Sequence, residues 1–581
     1  MLKIEYILRM PRPETHYFHV EIRLGGISAD SIDLVLPAWT PGSYRIRDYA
    51  RHIQDFTAAG KRWKKIDKSR WRIWTGGKRE IRVQYRVWAH DLTVRTSHLD
   101  TEHAYLNGGN IFLYLEGSKD CPSTLEVEPP RGWRVATGLE EKARNRYLAP
   151  DYDTLVDSPI EIGRFRELMF RAGRKQHRIV IDGGGNYDEK KILRDTKKIV
   201  EATSGMMGDM PYRDYTFIIH PLMNLRGGLE HRNSSCIQFP AFEFRREQRY
   251  ESFLCIITHE YFHTWNVKRI RPEPLGPFDY EKEVYTRLLW VMEGLTCHYE
   301  ILIPTRAKVF SPDDYLRILA GRIRGFLSKP GRYHQSLEES SFDTWIKLYQ
   351  PSPNSVNSQV NYYEKGSLVS LFLDLEIRRK TGNRKSLDDV VHSLYREYGK
   401  KDTGFPESEF QKTCERVAGG TLSGFFRDYV RGTKEIPFNR FLGYAGLEWK
   451  ERPRKGEEQK KELATAWTGI VPAKEGRGQL LPATILEGSP AEKAGLSPND
   501  EIVAIDGARA TEGNWTDRIE DCVPGEKVEV TYFRLGFLRK TTLDLKARPS
   551  IFWEIRRKKN PTPLQKKIYR GWLGAPYRSD S

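Results

Sequence analysis

Residues 253–263 read Phe-Leu-Cys-Ile-Ile-Thr-His-Glu-Tyr-Phe-His, and this stretch predicts the fold and the chemistry of the middle of the chain. Side chains four positions apart on a helix lie on one face, so His259 and His263 can direct ring nitrogens at one Zn²⁺. Glu260 follows the first histidine and can reach a water on that metal. The apolar run before them favours a buried site over two histidines on a solvated helix.

A catalytic zinc needs three protein ligands and one open position. The metzincin pattern is excluded because Asn266 and Arg269 stand where glycine and histidine are required. An acid from a following helix is therefore expected as the third ligand. The candidates are Glu273, Glu281, Glu283, Glu293 and Glu300.

Glu293 is the preferred candidate because it follows the apolar run 288–292 and precedes Gly294 and Leu295. A carboxylate in such a setting is buried and needs a metal or another partner. Glu281 and Glu283 fall at the charged start of a helix predicted from 283 to 302, where a first-turn acid is a simpler explanation. Glu300 is kept as an alternative ligand or as an acid that supports a ligand.

The motifs together resemble the glycyl-aminopeptidase family of gluzincin metallopeptidases. HEYFHTWNVKRIRP (259–272) and TRLLWVMEGLT (286–296) carry the strongest likeness. RGGLEH (226–231) resembles the family's GGLEH segment, which is analogous to GAMEN in aminopeptidase N relatives, and YYEKG (362–366) resembles their Tyr-x-Lys-Gly element. TPGSYRIRDYARH (40–52) and VRTSHLDTEHAYLNGGNIFLYLEG (94–117) are similar to family-typical stretches of the first domain.

The resemblance implies an aminopeptidase that prefers glycine or alanine as the first residue and holds one Zn²⁺ per chain. It makes His259, His263 and Glu293 the zinc ligands, with Glu260 the general base acting on zinc-activated water. Tyr363 becomes the oxyanion donor, chosen over Tyr362 by the Tyr-x-Lys-Gly spacing alone. Glu230 becomes the anchor for the free amine of a peptide substrate.

The chemistry of the residues agrees with these roles. A peptide bond needs an activated water, a polarised carbonyl and a proton for the leaving amine, which zinc, Glu260 and a phenol can supply. Gly227 and Gly228 let a substrate backbone approach closely. Two alternatives stay open: an endopeptidase or other zinc hydrolase on the same scaffold, and a PDZ-mediated binding protein whose zinc site is vestigial.

The expected fold is multidomain α+β. Residues 1–170 alternate apolar and polar positions between Pro/Gly/Asp clusters, which predicts a β-sandwich-like N-terminal domain. Mixed and then mainly helical patterns over 171–450 predict the catalytic domain, thermolysin-like by resemblance. A charged linker at 451–463, a PDZ domain at 464–547 and a basic tail at 548–581 complete the organisation.

ATILEGSPAEKAGLSPNDEIVAIDGARA (483–510) resembles a bacterial-type PDZ domain. The segment Trp467-Thr468-Gly469-Ile470 stands where such domains hold a chain-end carboxylate, so a C-terminal peptide ligand is expected there. The alternative is a domain that only packs on the catalytic domain.

Composition limits the remaining functions. The 581 residues carry a formal charge of +17, but no interleaved basic and aromatic motif predicts a nucleic-acid partner. Six scattered cysteines are too few for a disulfide framework. The chain as given starts without a signal-peptide pattern and holds no apolar run long enough to span a bilayer, so we expect a cytoplasmic protein without a membrane span.

Overall fold

The computed structural model describes residues 2–451, 465–473, 479–547 and 553–579. The chain forms two compact units, the first made of 1–312 with 387–414 and the second of 313–386 with 415–581. Apart from Glu451, the linker expected at 451–463 lies outside the described residues. No helix of the described ranges is long and apolar enough to cross a membrane.

The first unit opens with fifteen strands. They are β1 Lys3–Arg9, β2 Tyr17–Gly25, β3 Ser31–Val35, β4 Ile53–Ala58, β5 Trp63–Lys65, β6 Arg70–Trp74, β7 Glu80–Trp88, β8 His98–Leu99, β9 His103–Leu106, β10 Tyr114–Leu115, β11 Ser123–Glu128, β12 Arg134–Thr137, β13 Glu140–Ala143, β14 Arg146–Ala149 and β15 Ile160–Gly163. They form a seven-stranded sheet (β13-β14-β11-β1-β2-β7-β4) and two four-stranded sheets (β10-β3-β6-β5 and β12-β15-β9-β8).

Buried apolar residues alternate with more exposed residues along these strands, and the buried ones form a common core. On β7, Ile81, Val83, Tyr85 and Val87 are buried while the residues between them are not. Residues of all three sheets belong to one hydrophobic cluster, and β4 and β6 meet where the rings of Phe56 and Trp71 stack with centroids 5.4 Å apart. The N-terminal part is therefore β-rich, as predicted.

A fourth sheet, of five strands, follows in the order β16-β17-β18-β20-β19. Its strands are β16 Arg166–Ala172, β17 Lys175–Ile181, β18 Asp214–Leu222, β19 Gly227–Glu230 and β20 Ser234–Pro240. Two parallel pairings at its centre join β17 to β18 and β18 to β20, and β19 pairs antiparallel with β20. The segment 227–230 thus forms an edge strand of this sheet.

A buried ion-pair network connects the β-rich part to this sheet. Glu161 on β15 is fully buried and accepts hydrogen bonds from His103 Nδ1 (3.0 Å) and His220 Nε2 (2.8 Å). Burial opposes ionisation of Glu161, but the two histidines still hold its pKa below the usual value. The carboxylate of Glu161 therefore pairs with histidines on two separate sheets.

The helices of the first unit carry the remaining part of the α+β pattern. They are α1 Tyr152–Val156, α2 Glu189–Met207, α3 Glu247–Phe262, α4 Leu295–Arg306, α9 Leu387–Glu397 and the start of α10 Glu409–Ala418, with a π-helical turn at Trp290–Gly294. On α2, the apolar side chains of Ile192, Ile199 and Val200 are buried.

The second unit begins with α5 Pro312–Leu327, α6 Leu337–Phe342, α7 Ser355–Ser358 and α8 Tyr362–Lys380, and continues after α10 with α11 Ser423–Phe425, a π-helical turn at Phe426–Arg431 and α12 Phe438–Gly443. Short 3₁₀ turns occur in both units, at Pro13–Thr15, Tyr49–His52, Gly108–Asn110, Glu273–Leu275, Pro330–Tyr333 and Gly399–Lys401.

A module over 465–547, which we call the C-terminal module, has its own hydrophobic cluster. Its elements are β22 Ala466–Trp467, β23 Ile470–Pro472, β24 Pro482–Ile485, α13 Pro490–Lys493, β25 Glu501–Ile505, β26 Ala508–Arg509, α14 Glu512–Glu520, β27 Lys527–Arg534, β28 Phe537–Asp544 and β29 Lys546–Ala547. Its PDZ identity stays a prediction.

The residues expected as a basic tail contain regular structure. β30 Trp553–Arg557 pairs with β21 Leu447–Glu451, and Trp449 stacks on Trp553 at 5.7 Å. The amphipathic helix α15 Pro563–Leu573 buries Trp572 and Leu573 and presents its basic residues outward. Lys566, Lys567 and Arg570 therefore lie on the polar face of a packed helix, and Arg556 and Arg557 belong to β30.

We expect Glu161→Gln to lower the free energy of unfolding by about 3 kcal/mol, because the substitution removes one partner of a buried charged network. The measurement is the urea midpoint of the first unit's transition in the full-length protein. Glu126→Gln is the control: Glu126 forms an exposed pair with Arg146, so its loss should leave the midpoint unchanged. Equal midpoints for Glu161→Gln and wild type would contradict this role.

Candidate active site and metal centre

The last turn of α3 and the following π-helical turn bring three donor groups together. Glu293 Oε2 lies 3.4 Å from His259 Nε2 and 3.3 Å from His263 Nε2. The three side chains are 12%, 1% and 3% exposed for His259, His263 and Glu293. Donor atoms bound tetrahedrally to zinc at 2.0–2.1 Å are about 3.3 Å apart, so the arrangement fits this metal.

The far nitrogens of both rings are engaged as donors. His259 Nδ1 donates to Glu300 Oε2 at 2.7 Å, and His263 Nδ1 donates to the carbonyl of Asn266 at 2.6 Å. Each ring therefore keeps its proton on Nδ1 and turns the lone pair of Nε2 toward Glu293. Glu300 supports a candidate ligand and is not itself part of this donor set.

Glu293 is held by the loop that follows α3. The side-chain nitrogen of Asn266 donates to the carbonyls of Val291 and Met292, both at 2.9 Å.

The helix predicted from 283 does not begin there, because the hydroxyl of Thr286 and the amide of Arg287 donate to the carboxylate of Glu407. Helical structure starts instead with the π-helical turn Trp290–Gly294, which contains Glu293.

The other three candidate acids stay outside the cluster. Glu281 forms an ion pair with Arg70 at 2.8 Å, and Glu273 is exposed in a short 3₁₀ turn. The metal-ligand groupings found among the described residues include neither of them, nor Glu283.

Glu260 lies on the face of α3 that meets β19. It is 5% exposed, and burial raises its pKa to about 7, an effect that a cation held beside it would oppose. A Cβ on Gly228 would lie 2.0 Å from Glu260 Oε1 and 2.6 Å from its Cγ. Only glycine at 228 leaves the carboxylate where it is. A Cβ on Gly227 would meet nothing within 4 Å.

Glu230, at the end of β19, faces the same centre. One carboxylate oxygen each from Glu230 and Glu260 and one nitrogen of His263 lie within 4.8 Å of one another. Glu230 is only 5% exposed, yet no group in the described parts of the chain donates a hydrogen bond to its carboxylate. A buried carboxylate in this state is stabilised by a cationic ligand.

A cavity of about 300 Å³ opens beside Glu230. The loop Thr40–Tyr44 forms part of its wall, and Gly42 adopts a positive φ of 86° there. A Cβ on Gly42 would lie 2.6 Å from both carboxylate oxygens of Glu230, so this loop touches the carboxylate directly. In the sequence, this stretch (TPGSY, 40–44) is marked only by its resemblance to a family-typical segment, and the sequence assigns it no role.

Asp157 fixes the end of β19 from the other side of the cavity. It accepts hydrogen bonds from His231 Nδ1 (3.1 Å), from the Arg232 amide (2.8 Å) and from Lys268 Nζ (2.8 Å). Burial raises the cost of its charge, but Lys268 and His231 hold its pKa far below the usual value. The hydrogen bonds to His231 and Arg232 hold the chain directly after Glu230. Sequence reasoning missed Asp157 because no motif marks it.

His103, Glu161 and His220 form a second histidine–carboxylate cluster that does not share the geometry of the first. Its nitrogen–oxygen separations of 3.0 and 2.8 Å are hydrogen-bond lengths, shorter than the spacing of zinc donors. Both donors already have a carboxylate partner, so this cluster is an ion-pair network.

Tyr362 and Tyr363 begin α8 in the second unit. Tyr362 is fully buried and its hydroxyl pairs with Thr344 at 3.0 Å. Tyr363 is half-buried, and its hydroxyl lies 3.3 Å from that of Tyr349. Tyr363 is therefore the less buried of the two tyrosines, and its role as oxyanion donor stays a prediction.

The segment 467–470 joins β22 to β23 in the C-terminal module. Gly469 has a φ of 78°, and a Cβ there would lie 2.1 Å from that of Ser489. The carbonyls of Thr468 and Gly469 accept hydrogen bonds from the amides of Ala491 and Leu486. Binding of a chain-end carboxylate by this segment stays a prediction.

Comparisons with known proteins agree with these motifs. The family model described as the peptidase M61 N-terminal domain matches residues 5–164, and the one described as M61 glycyl aminopeptidase matches residues 252–369. An aminopeptidase N family protein from Idiomarina loihiensis is 30% identical with a TM-score of 0.91, over 98% of this chain and 100% of its own. The chain belongs to the M61 peptidase family.

As a member of that family the chain is a zinc aminopeptidase. An M1 zinc metallopeptidase from Deinococcus radiodurans is 14% identical with a TM-score of 0.48, over 75% of this chain and 95% of its own. No match was found among curated proteins.

We expect Gly228→Ala to lower kcat/KM of this peptidase by about 100-fold, because the new methyl group displaces the Glu260 carboxylate from its position. The measurement is hydrolysis of alanyl-p-nitroanilide, with zinc content determined on the same samples. Gly227→Ala is the matched control and should retain activity within about threefold. Equal activities of the two variants would contradict the packing argument.

Proposed function

We propose that the enzyme removes a small first residue, glycine or alanine, from peptides with a free N-terminus, using one zinc ion per chain. His259, His263 and Glu293 would hold the metal. The observation that carries the proposal is the nearly buried Glu230 carboxylate, which has no hydrogen-bond donor among the described residues and lies beside Glu260 and His263.

Glu230 suits the ammonium group of a substrate. The Glu230 carboxylate is 5% exposed, interacts electrostatically with Lys268 and His263, and can accept charge-assisted hydrogen bonds from a substrate ammonium. Because Glu230 and Glu260 both approach His263, an amine held at Glu230 leaves the first peptide bond next to Glu260. A binding site this close to the reacting bond favours removal of one residue at a time.

The residues then act in a fixed order. Zinc bound at the site supplies Lewis acidity toward a carbonyl oxygen and toward water. Glu260 takes a proton from the attacking water as the carbon–oxygen bond forms, and returns it to the nitrogen as the carbon–nitrogen bond breaks. Tyr363 donates a hydrogen bond to the oxyanion. The edge strand β19, with Gly227 and Gly228, can pair with the substrate backbone.

The preference for glycine is taken from the description of the matching family model, M61 glycyl aminopeptidase, and alanine is included as the next larger first residue. The cavity of about 300 Å³ beside Glu230 has room for larger side chains, so size exclusion by this cavity is not the basis of the preference. A panel of substrates with different first residues tests the preference separately from the volume of the cavity.

We expect glycyl and alanyl p-nitroanilides to be hydrolysed fastest in a panel that also contains leucyl, lysyl and glutamyl substrates. Chelation should abolish activity, and added Zn²⁺ should restore it. Glu260→Gln should lower kcat by about 10³-fold with unchanged zinc content, because it removes the general base. Activity that survives both chelation and Glu260→Gln would overturn the proposal.

We expect Glu230→Gln to lower kcat/KM by about 100-fold on substrates with a free amine, since it removes the charge that pairs with the ammonium. N-acetylated substrates should be hydrolysed poorly by both the wild type and this variant. Glu273→Gln, a change of an exposed acid, is the control and should have no effect. Equal cleavage of acetylated and free peptides would favour the endopeptidase alternative.

A further inference from the structure

The middle of the segment that precedes Tyr363 is attached to the C-terminal module. This segment, 349–361, runs from Tyr349, whose hydroxyl meets that of Tyr363, to the start of α8. Asn357 lies near its centre and makes two hydrogen bonds to the module: its Nδ2 donates to the Ile485 carbonyl at 2.8 Å, and its Oδ1 accepts from the Glu487 amide at 3.0 Å.

These two bonds reproduce the pairing of a neighbouring strand. In a parallel β-ladder, one residue donates its N–H to a carbonyl of the neighbouring strand and accepts at its C=O from the amide two positions further along that strand. The Asn357 amide does the same with Ile485 and Glu487, at the end of β24. A third bond, from Thr484 Oγ1 to the Pro353 carbonyl at 3.0 Å, extends the contact along β24.

The contact is the only polar attachment of residues 353–357 to other described parts of the chain. Other hydrogen bonds of this stretch stay within 352–359. The end of the segment is held differently, because the Val360 amide donates to buried Gln335 Oε1 at 2.9 Å and the Tyr363 amide donates to Asn361 Oδ1 at 2.8 Å. The hydrogen bonds that join the centre to other described parts of the chain are therefore all made to the module, while α7 also packs against the 3₁₀ turn Pro330–Tyr333.

We propose that Asn357 and Thr484 are positioning residues through which the C-terminal module holds the segment 349–361 and thereby the hydroxyl of Tyr363. This inference rests on the proposed role of Tyr363 as oxyanion donor. It gives the module a part in catalysis that requires no peptide ligand. It also makes kcat depend on residues of the module that lie more than a hundred positions from Tyr363 in the sequence.

The test is a double-mutant cycle in the full-length enzyme. We expect Asn357→Ala, from the side of the segment, and Thr484→Val, from the side of the module, each to lower kcat about tenfold while KM stays within about twofold. Gln479→Ala is the matched control. The side-chain amide of Gln479, also in the module, donates a hydrogen bond to Glu501, so this change should leave kcat unaltered. Zinc content should be unchanged in all variants.

The Tyr363→Phe background shows whether the effect passes through Tyr363. Alone, Tyr363→Phe should lower kcat by about 10²–10³-fold. Adding Asn357→Ala or Thr484→Val should then cause no further loss, because the group that they position is gone.

Equal losses from Asn357→Ala in both backgrounds, or no loss in either, would overturn the inference and leave the proposed function intact. Wild-type activity of Tyr363→Phe would instead overturn the role of Tyr363 in the proposed function, and the inference with it. A loss of kcat in Gln479→Ala equal to that in Asn357→Ala would also overturn it, because the effect would then not be specific to the contact.

Discussion

Two hydrogen bonds behind the histidine rings determine the chemistry of the centre. Glu300 and the carbonyl of Asn266 each accept a proton from Nδ1, so that both Nε2 lone pairs point to the same place as the Glu293 carboxylate. Without these acceptors either neutral ring could take the other tautomer, with its proton on Nε2, and would then donate to Glu293 instead of offering a lone pair to a metal ion. The donor spacing of 3.3–3.4 Å, longer than a good hydrogen bond, is consistent with that orientation.

The close packing of α3 against the edge strand β19 positions Glu260 and Glu230. Because Gly228 has no side chain, β19 approaches α3 until Glu260 fills the space that a methyl group would take. The same approach brings Glu230, two residues along the strand, to the centre. Asp157 and the Thr40–Tyr44 loop then confine Glu230 from the cavity side. A catalytic base and a buried anionic pocket are thus consequences of one packing contact.

Much of this could be predicted from the sequence, because the signals are local. The spacing of His259 and His263 and the apolar surroundings of Glu293 locate the donor set, and alternation along β7 predicts the β-rich start of the chain. The start of the helix near Glu293 could not be predicted, since Glu407 binds the backbone of Arg287 from 120 positions away. Asp157 and Asn357 also escape local patterns, because their contacts are made only after folding.

The most direct measurement is an anomalous difference map recorded at the zinc absorption edge on crystals of the full-length protein. We expect one strong peak per chain, bonded to His259 Nε2, His263 Nε2 and the Glu293 carboxylate at about 2.0–2.2 Å. We expect no peak at the hydrogen-bonded cluster of His103, Glu161 and His220. A zinc peak at that second cluster, or none at the first, would contradict the assignment of the metal centre.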